Sequence, residues 1–296
     1  MEKTKIILFS LVFIALFISC GTVKDLSIEE YYKYDSQLPL NATIADRKSD
    51  SDMKTYDITF ESVHQQTVTA TLTMPNEEVN KPWPVIIFMH GLGDHKEADY
   101  MEYGNQFFID HQYAVLRVDI ANHGDRETKD FDFSLTDGYR YWTRDVMSQT
   151  VFDLQRAVDF IESQANLDSD RIGYFGISLG GMIGTIFSAI EKRIKVPVIT
   201  LAGGKMHFMF GAKGLTPAVK AYFSVIDPIN FVADISPRPL LMVNASNDEI
   251  VPPITSKFLY KKAKQPKEII WYPNKHRDVP PDLIFGDGVE WFKKYL

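Results

Sequence analysis

The residues best suited to chemistry lie in the stretch Gly176-Ile177-Ser178-Leu179-Gly180. An apolar run, Arg171-Ile172-Gly173-Tyr174-Phe175, precedes it, and Gly181-Met182-Ile183-Gly184-Thr185-Ile186-Phe187 follows. That order spells strand, sharp turn, helix. A G-x-S-x-G segment at such a turn carries its serine at the apex in a strained backbone conformation, with the hydroxyl lifted clear of the sheet. The flanking glycines suit a place where strand and helix pass too close for side chains. The hydroxyl also sits at a helix N-terminus, whose partial positive charge favours a developing anion. A glycine-rich turn that carries a serine by chance is the plain alternative. The strand before it and the helix after it favour a nucleophile.

A serine nucleophile needs a base, and the base needs an acid to orient it. In a strand–turn–helix setting of this kind the expected chain order is serine, acid, histidine. Two histidines follow Ser178, namely His207 and His276. His207 precedes the last acid-bearing strand. His276 lies in the loop Pro273-Asn274-Lys275-His276 after the final apolar run, so His276 is the expected base. For the acid, Leu240-Leu241-Met242-Val243 runs into Asn244-Ala245-Ser246-Asn247-Asp248-Glu249. Asp248 stands just past a strand end and is preferred; Glu249 and Asp278 are its rivals.

A tetrahedral intermediate also needs two donors aimed at its oxyanion. One is the backbone N–H after the nucleophile, Leu179. The other is expected from His90-Gly91-Leu92-Gly93-Asp94, with Leu92 as the donor. His90 precedes the serine, the wrong order for the base, and is expected to shape its loop by side-chain hydrogen bonding. Asp119 and His123, in Asp119-Ile120-Ala121-Asn122-His123-Gly124, are either a second acid–base pair or a structural stitch, and the second reading is preferred.

These groups need a frame. Thr55–Phe60 and Gln66–Met74 alternate polar and apolar residues, as half-buried antiparallel strands do. Val85–Met89 is continuously apolar, as a central parallel strand covered on both faces must be. Helical patterns over Asp99–His111 and Arg144–Gln164 then alternate with strands over Ala114–Val118, Arg171–Ile177, Lys195–Leu201, Pro239–Asn244 and Glu268–Tyr272. The fold class expected is α/β: a doubly wound, mostly parallel sheet with an antiparallel start and helices on both faces. Right-handed crossovers place the catalytic loops at the strands' C-terminal ends. Loops 127–142, with Phe131, Phe133, Tyr139, Tyr141 and Trp142, and 203–223, with His207, Phe208, Met209, Phe210, Tyr222 and Phe223, are candidate pocket walls.

His90-Gly91-x-Gly93, the Asp119–Arg126 turn, Gly176-x-Ser178-x-Gly180-Gly181 and Asp248-x-Ile250-Val251-Pro252 followed by His276 together carry a resemblance. From about Met53 to Leu296 the chain resembles the α/β-hydrolase superfamily. It is most similar to small esterases of the dienelactone-hydrolase, acetyl-xylan-esterase and YitV/YjfP-like group. Dienelactone hydrolases use cysteine as nucleophile, where this chain has Ser178. Many relatives have glycine before the histidine, where this chain has Lys275. The resemblance implies a serine hydrolase that cleaves carboxylic esters of small to medium acyl groups, carbohydrate esters among them, through an acyl-enzyme and without a cofactor. A peptidase or thioesterase on the same triad, or a non-catalytic surface-binding lipoprotein, are the alternatives.

Composition agrees with one large domain. The chain has 296 residues, 45% hydrophobic, with a net charge of −7, which is unlike the basic footprint of a nucleic-acid binder. No His-x-x-x-His or acidic cluster suggests a metal site. The lysines of residues 1–5 and the apolar stretch Ile6–Ile18 read as a secretory signal, too short to span a bilayer comfortably. It ends at Phe17-Ile18-Ser19-Cys20-Gly21, which resembles a bacterial lipobox, although Phe17 stands where leucine is usual. Cys20, the sole cysteine, is the expected lipidation site. The organisation expected is a signal over 1–19, a tether over 20–52 and a catalytic domain over 53–296, exported and anchored to a bacterial membrane.

Overall fold

The structure is a computed structural model, and it describes residues 27–47, 52–76, 81–128, 140–209 and 216–296. The chain divides into two compact units, Met1–Lys33 and Tyr34–Leu296. In the first unit, Ile28–Tyr31 forms one helical turn. Ser27 and Glu30 close it as a capping box: the Glu30 N–H donates to Ser27 Oγ at 3.2 Å and the Ser27 N–H to Glu30 Oε2 at 3.1 Å. The signal segment and Cys20 lie outside the described residues.

The second unit is built on one nine-stranded sheet. In chain order the strands are β1 (Thr43–Asp46), β2 (Met53–Glu61), β3 (Thr67–Pro75), β4 (Trp83–Met89), β5 (Ala114–Val118), β6 (Leu167–Ile177), β7 (Ile194–Thr200), β8 (Leu240–Ala245) and β9 (Lys267–Tyr272). Their order across the sheet is β1-β2-β3-β5-β4-β6-β7-β8-β9. β1, β2, β3 and β5 pair antiparallel, and every pair from β5–β4 onward is parallel. The main helices are α1 (Asp99–Asp110), α2 (Arg140–Glu162), α3 (Leu179–Ile190), α4 (Pro217–Tyr222), α5 (Pro253–Lys262) and α6 (Pro281–Tyr295). This is the α/β-hydrolase fold.

The parallel strands lie at the centre because they can bury both faces. Val85, Ile86, Ile87, Phe88 and Met89 of β4 are all fully buried. On one face an aromatic cluster joins sheet to helix: the Phe88 ring meets Phe108 of α1 at 5.6 Å, Phe175 of β6 at 5.5 Å and Phe285 of α6 at 5.6 Å, all edge to face. On the other face α3 carries its apolar positions Met182, Ile183, Ile186 and Phe187 into the core.

Three boundaries differ most from the sequence reading, and one of them is β6, which begins at Leu167 rather than Arg171. The expected tether does not run to residue 52, because Thr43–Asp46 already forms the edge strand, with Thr43 opposite Thr59 and Asp46 opposite Tyr56. The strand is short and exposed along its length, so it lacks the apolar signal that marks an inner strand. Its backbone pairing and an ion pair from Arg47 to Asp57 at 2.6 Å hold it in place. Likewise α2 begins at Arg140 rather than Arg144. No proline or glycine interrupts residues 140–162, and the helix extends upstream through Tyr141 and Trp142.

Candidate active site

Ser178 stands between β6 and α3 with φ 55° and ψ −114°, a conformation that a side-chain-bearing residue adopts only under constraint. Its surroundings supply that constraint. The Ser178 N–H donates to Thr200 O at 2.9 Å, and Tyr174 Oη donates to Gly180 O at 2.6 Å. A Cβ at Gly180 would stand 2.5 Å from His90 O, and one at Gly176 would stand 2.5 Å from Gly180 O. Only glycine fits at either position, which is the physical content of the motif.

The acid and the base arrive on neighbouring strands. Ala245 at the end of β8 pairs with Tyr272 at the end of β9. Beyond the strands the two loops stay joined, with the Ser246 N–H on Tyr272 O at 2.7 Å and the Asn247 N–H on Asn274 O at 3.1 Å. This pairing brings Asp248 and His276 together across 28 residues of chain, with His276 Nδ1 at 2.7 Å from Asp248 Oδ2. His276 Nε2 lies 3.0 Å from Ser178 Oγ. Asp248 and His276 are buried. The second carboxylate oxygen, Asp248 Oδ1, accepts the N–H groups of Ile250 at 2.9 Å and Val251 at 2.7 Å, which fix its plane. The rivals have other places. Glu249 Oε2 accepts the backbone N–H of His276 at 3.2 Å, and Asp278 is exposed.

The loop after β4 is built differently. His90 is fully buried. Its Nε2 accepts the Ile120 N–H at 3.0 Å, so the ring proton is on Nδ1, which donates to Gly91 O at 2.7 Å. Burial lowers its pKa from 6.5 to about 4, and the ring is neutral at ordinary pH. The carbonyl it holds belongs to the peptide whose other end is the Leu92 N–H. In a trans peptide the two point in opposite directions, so the Leu92 N–H faces away from the buried ring. The preceding amide is occupied: the Gly91 N–H donates to Tyr100 Oη at 2.9 Å, and that hydroxyl donates to Asp94 Oδ2 at 3.1 Å. Leu179, the first residue of α3, has no intrahelical acceptor for its N–H. Leu179 directly follows Ser178, and Leu92 lines the same cleft as Ser178.

Asp119 and His123 are structural ties. Asp119 accepts the Lys96 backbone N–H at 2.8 Å, Lys96 Nζ at 2.7 Å and Thr69 Oγ1 at 3.0 Å, which locks the loop after β4 to β3 and to the loop after β5. Lys96 also pairs with Asp125. His123 Nδ1 binds Ala121 O at 3.0 Å within its own loop. Among the described residues no group of three or more His, Cys, Asp or Glu side chains could hold a metal ion.

Ser178 and His276 open into a cleft of about 440 Å³. Among the described residues of loops 127–142 and 203–223, none lines this cleft; Phe131, Phe133, Tyr139 and Phe210 lie outside the described residues. Tyr141 and Tyr222 pack against each other instead, ring centres 4.8 Å apart. The cleft is walled by Tyr100 of α1, by Ile250 and Arg277 on the acid and base loops, and by Ile284 and Phe285 of α6. An amphipathic C-terminal helix carries no mark that distinguishes a cleft wall from ordinary core, so sequence reasoning had no signal for α6. Arg277 is adjacent to the base and could have been noticed on that ground alone.

Fold and site define an α/β hydrolase with a serine, histidine and aspartate in hydrogen-bonded series. Comparison with known proteins narrows the class. The sequence profile of the acetyl xylan esterase (AXE1) family matches residues 24–201, and the chain belongs to that family. A second profile, for PhoPQ-activated pathogenicity-related protein, matches residues 210–294. YtaP of Bacillus subtilis strain 168, which carries a hydrolase name, is 26% identical over 196 residues, 58% of this chain and 62% of that protein. The next curated relatives are matched over 41% and 46% of their length, so the chain spans about half the length of the first curated relatives. Esterase YjfP of Escherichia coli K12 is 23% identical, over 75% of this chain and 93% of that protein. Acetyl xylan esterase from Paenibacillus sp. R4 superposes with a TM-score of 0.73 over 91% of this chain and 92% of that one, at 18% identity. At that identity the likeness concerns the fold.

Proposed function

We propose that this protein is a carboxylic ester hydrolase in which Ser178 is the nucleophile, His276 the general base and Asp248 the group that orients it. The observation that carries the reading is the unbroken series from Ser178 Oγ to His276 Nε2 at 3.0 Å and from His276 Nδ1 to Asp248 Oδ2 at 2.7 Å, at the floor of an open cleft. Membership of the acetyl xylan esterase family supports it.

His276 takes the Ser178 proton as Oγ attacks the ester carbonyl, and Asp248 steadies the imidazolium that forms. The carbonyl oxygen gains negative charge where the Leu92 and Leu179 amides stand, at the positive end of α3. Collapse of the intermediate breaks the bond to the alcohol, which leaves with the proton held on His276. Water then enters, gives a proton to His276 and attacks the acyl-enzyme, and the acid is released as Ser178 recovers its proton. Every proton is returned and no cofactor takes part. A cleft of about 440 Å³ suits small to medium acyl groups.

The test is hydrolysis of p-nitrophenyl esters from acetate to decanoate by the protein and by Ser178→Ala. The expected loss in the variant is on the order of ten-thousand-fold or more. Equal rates in both would overturn the assignment. Export with a lipid on Cys20 is part of the same proposal and rests on the lipobox-like sequence: Cys20→Ala is expected to move the protein from the membrane to the soluble fraction.

A further inference from the structure

Two charged residues line the cleft beside His276: Asp94 on the loop after β4 and Arg277 on the loop after β9. They are not equivalent. Asp94 is engaged, because its Oδ2 accepts the Tyr100 hydroxyl. Arg277 is exposed, faces the cleft directly after the base, and forms no ion pair among the described residues. Other carboxylates of its neighbourhood have duties elsewhere: Asp248 is held by His276, Ile250 and Val251, and Glu249 by the His276 amide. The guanidinium reaches across the cleft electrostatically. Burial is the main cause that raises the Tyr100 phenol above its ordinary pKa, and the Arg277 charge acts against that rise.

Much of the remaining wall is apolar, with Ile177, Leu201, Ile250, Ile284 and Phe285. A substrate that fills such a cleft strips water from one side of Arg277. A neutral apolar ester would leave that face of the guanidinium without a partner, at a desolvation cost. A carboxylate placed there supplies a planar, bidentate acceptor for the fork of N–H donors. The net charge of the chain, −7, does not itself attract anions, and Asp94 lines the same cleft, so selection would rest on direct pairing of a substrate carboxylate with Arg277.

We propose that Arg277 is a specificity-determining residue and that the preferred substrates are esters with an apolar body and a carboxylate near the scissile bond. The proposal rests on the esterase reading above and deepens it. The carboxylate can belong to the acyl part or to the alcohol part, and matched substrates separate the two. On the acyl side the pair is mono-p-nitrophenyl adipate and p-nitrophenyl hexanoate. On the alcohol side it is p-acetoxybenzoate and its methyl ester. In each pair the neutral ester is the internal reference, and the readout is the ratio of kcat/KM values.

The full chain is expected to prefer the anionic member of at least one pair, and the preference to fall as ionic strength rises. Arg277→Gln is expected to lower that ratio about tenfold, mainly through KM, and Arg277→Lys to retain most of it. A ratio that moves less than twofold in Arg277→Gln for both pairs overturns the role of Arg277 and leaves the esterase reading intact. If the native chain hydrolyses all four esters no faster than Ser178→Ala does, the esterase reading fails, and this proposal falls with it.

Discussion

His90 and His276 make an instructive pair. Each is a buried histidine at the C-terminal end of a parallel strand, β4 for one and β9 for the other, and each uses both ring nitrogens. The partners differ. His90 lies between two backbone groups, the Ile120 N–H and the Gly91 carbonyl, and neither can exchange a proton with it at ordinary pH. His276 lies between a carboxylate that stabilises its charged form and a hydroxyl that can give it a proton. One ring is a fixed strut and the other, in the proposed mechanism, a proton carrier, and only the atoms they touch make the difference.

Two variants would sharpen or break that contrast. The largest effect is expected for His276→Ala, with kcat/KM reduced by a factor on the order of ten thousand while the melting temperature changes little. His90→Ala is expected to do the reverse in kind. It strands the Ile120 N–H and frees the Gly91 carbonyl, with a loss on the order of 1–3 kcal/mol in stability and a fall in kcat of at most about a hundredfold. If His90→Ala proved as inactive as His276→Ala in folded protein, the strut reading would be wrong.

The second contrast is with pH. The folded-state pKa of His90 is about 4, below its ordinary 6.5, so the unfolded chain binds the extra proton first. Its contribution to stability is complete above pH 6.5 and is lost progressively as pH falls toward 4, about 3 kcal/mol in all. Burial lowers the pKa of His123 as well, with the same sign. Denaturant melts taken across this window should show stability rising with pH, and a His90→Gln variant should show a shallower slope. An equal slope in both would remove His90 as the cause.

The smallest effect concerns Tyr100, which joins the loop after β4 to the cleft wall. Tyr100→Phe deletes the acceptor for the Gly91 N–H and the donor to Asp94. A decrease in kcat of about threefold to thirtyfold, with KM nearly constant, is the expected result, since the loss falls on loop position rather than on substrate contact. A change confined to KM would assign Tyr100 to substrate binding instead.

Much of the site was legible in the chain because its parts are local. Gly176-x-Ser178-x-Gly180 specifies a close turn through glycines that steric contact at 2.5 Å requires. His276 could be ranked above His207 by its place after the last strand. The acid was narrower ground: Asp248 and Glu249 are adjacent, and the sequence preferred Asp248 only by its place just past a strand end. The Ile250 and Val251 amides decide it, by holding the Asp248 carboxylate. The described aromatics of loops 127–142 and 203–223 stand away from the cleft for a related reason. Aromatics in a loop signal burial, but not what they are buried against, and Tyr141 and Tyr222 found each other.

The sequence by itself therefore determined the fold class, the antiparallel start of the sheet and the candidates for nucleophile and base, since each is written in patterns that span a few residues: apolar period, glycine spacing, strand-to-loop order. The tertiary structure decided what depends on distant segments meeting. It set Asp248 against the His276 ring and Glu249 against the His276 amide, gave His90 its neutral tautomer through Ile120, drew Thr43–Asp46 into the sheet edge, and walled the cleft with α6. The physical reason is the same in each case. A hydrogen bond or a packed wall needs two partners, and the chain names only one of them at a time.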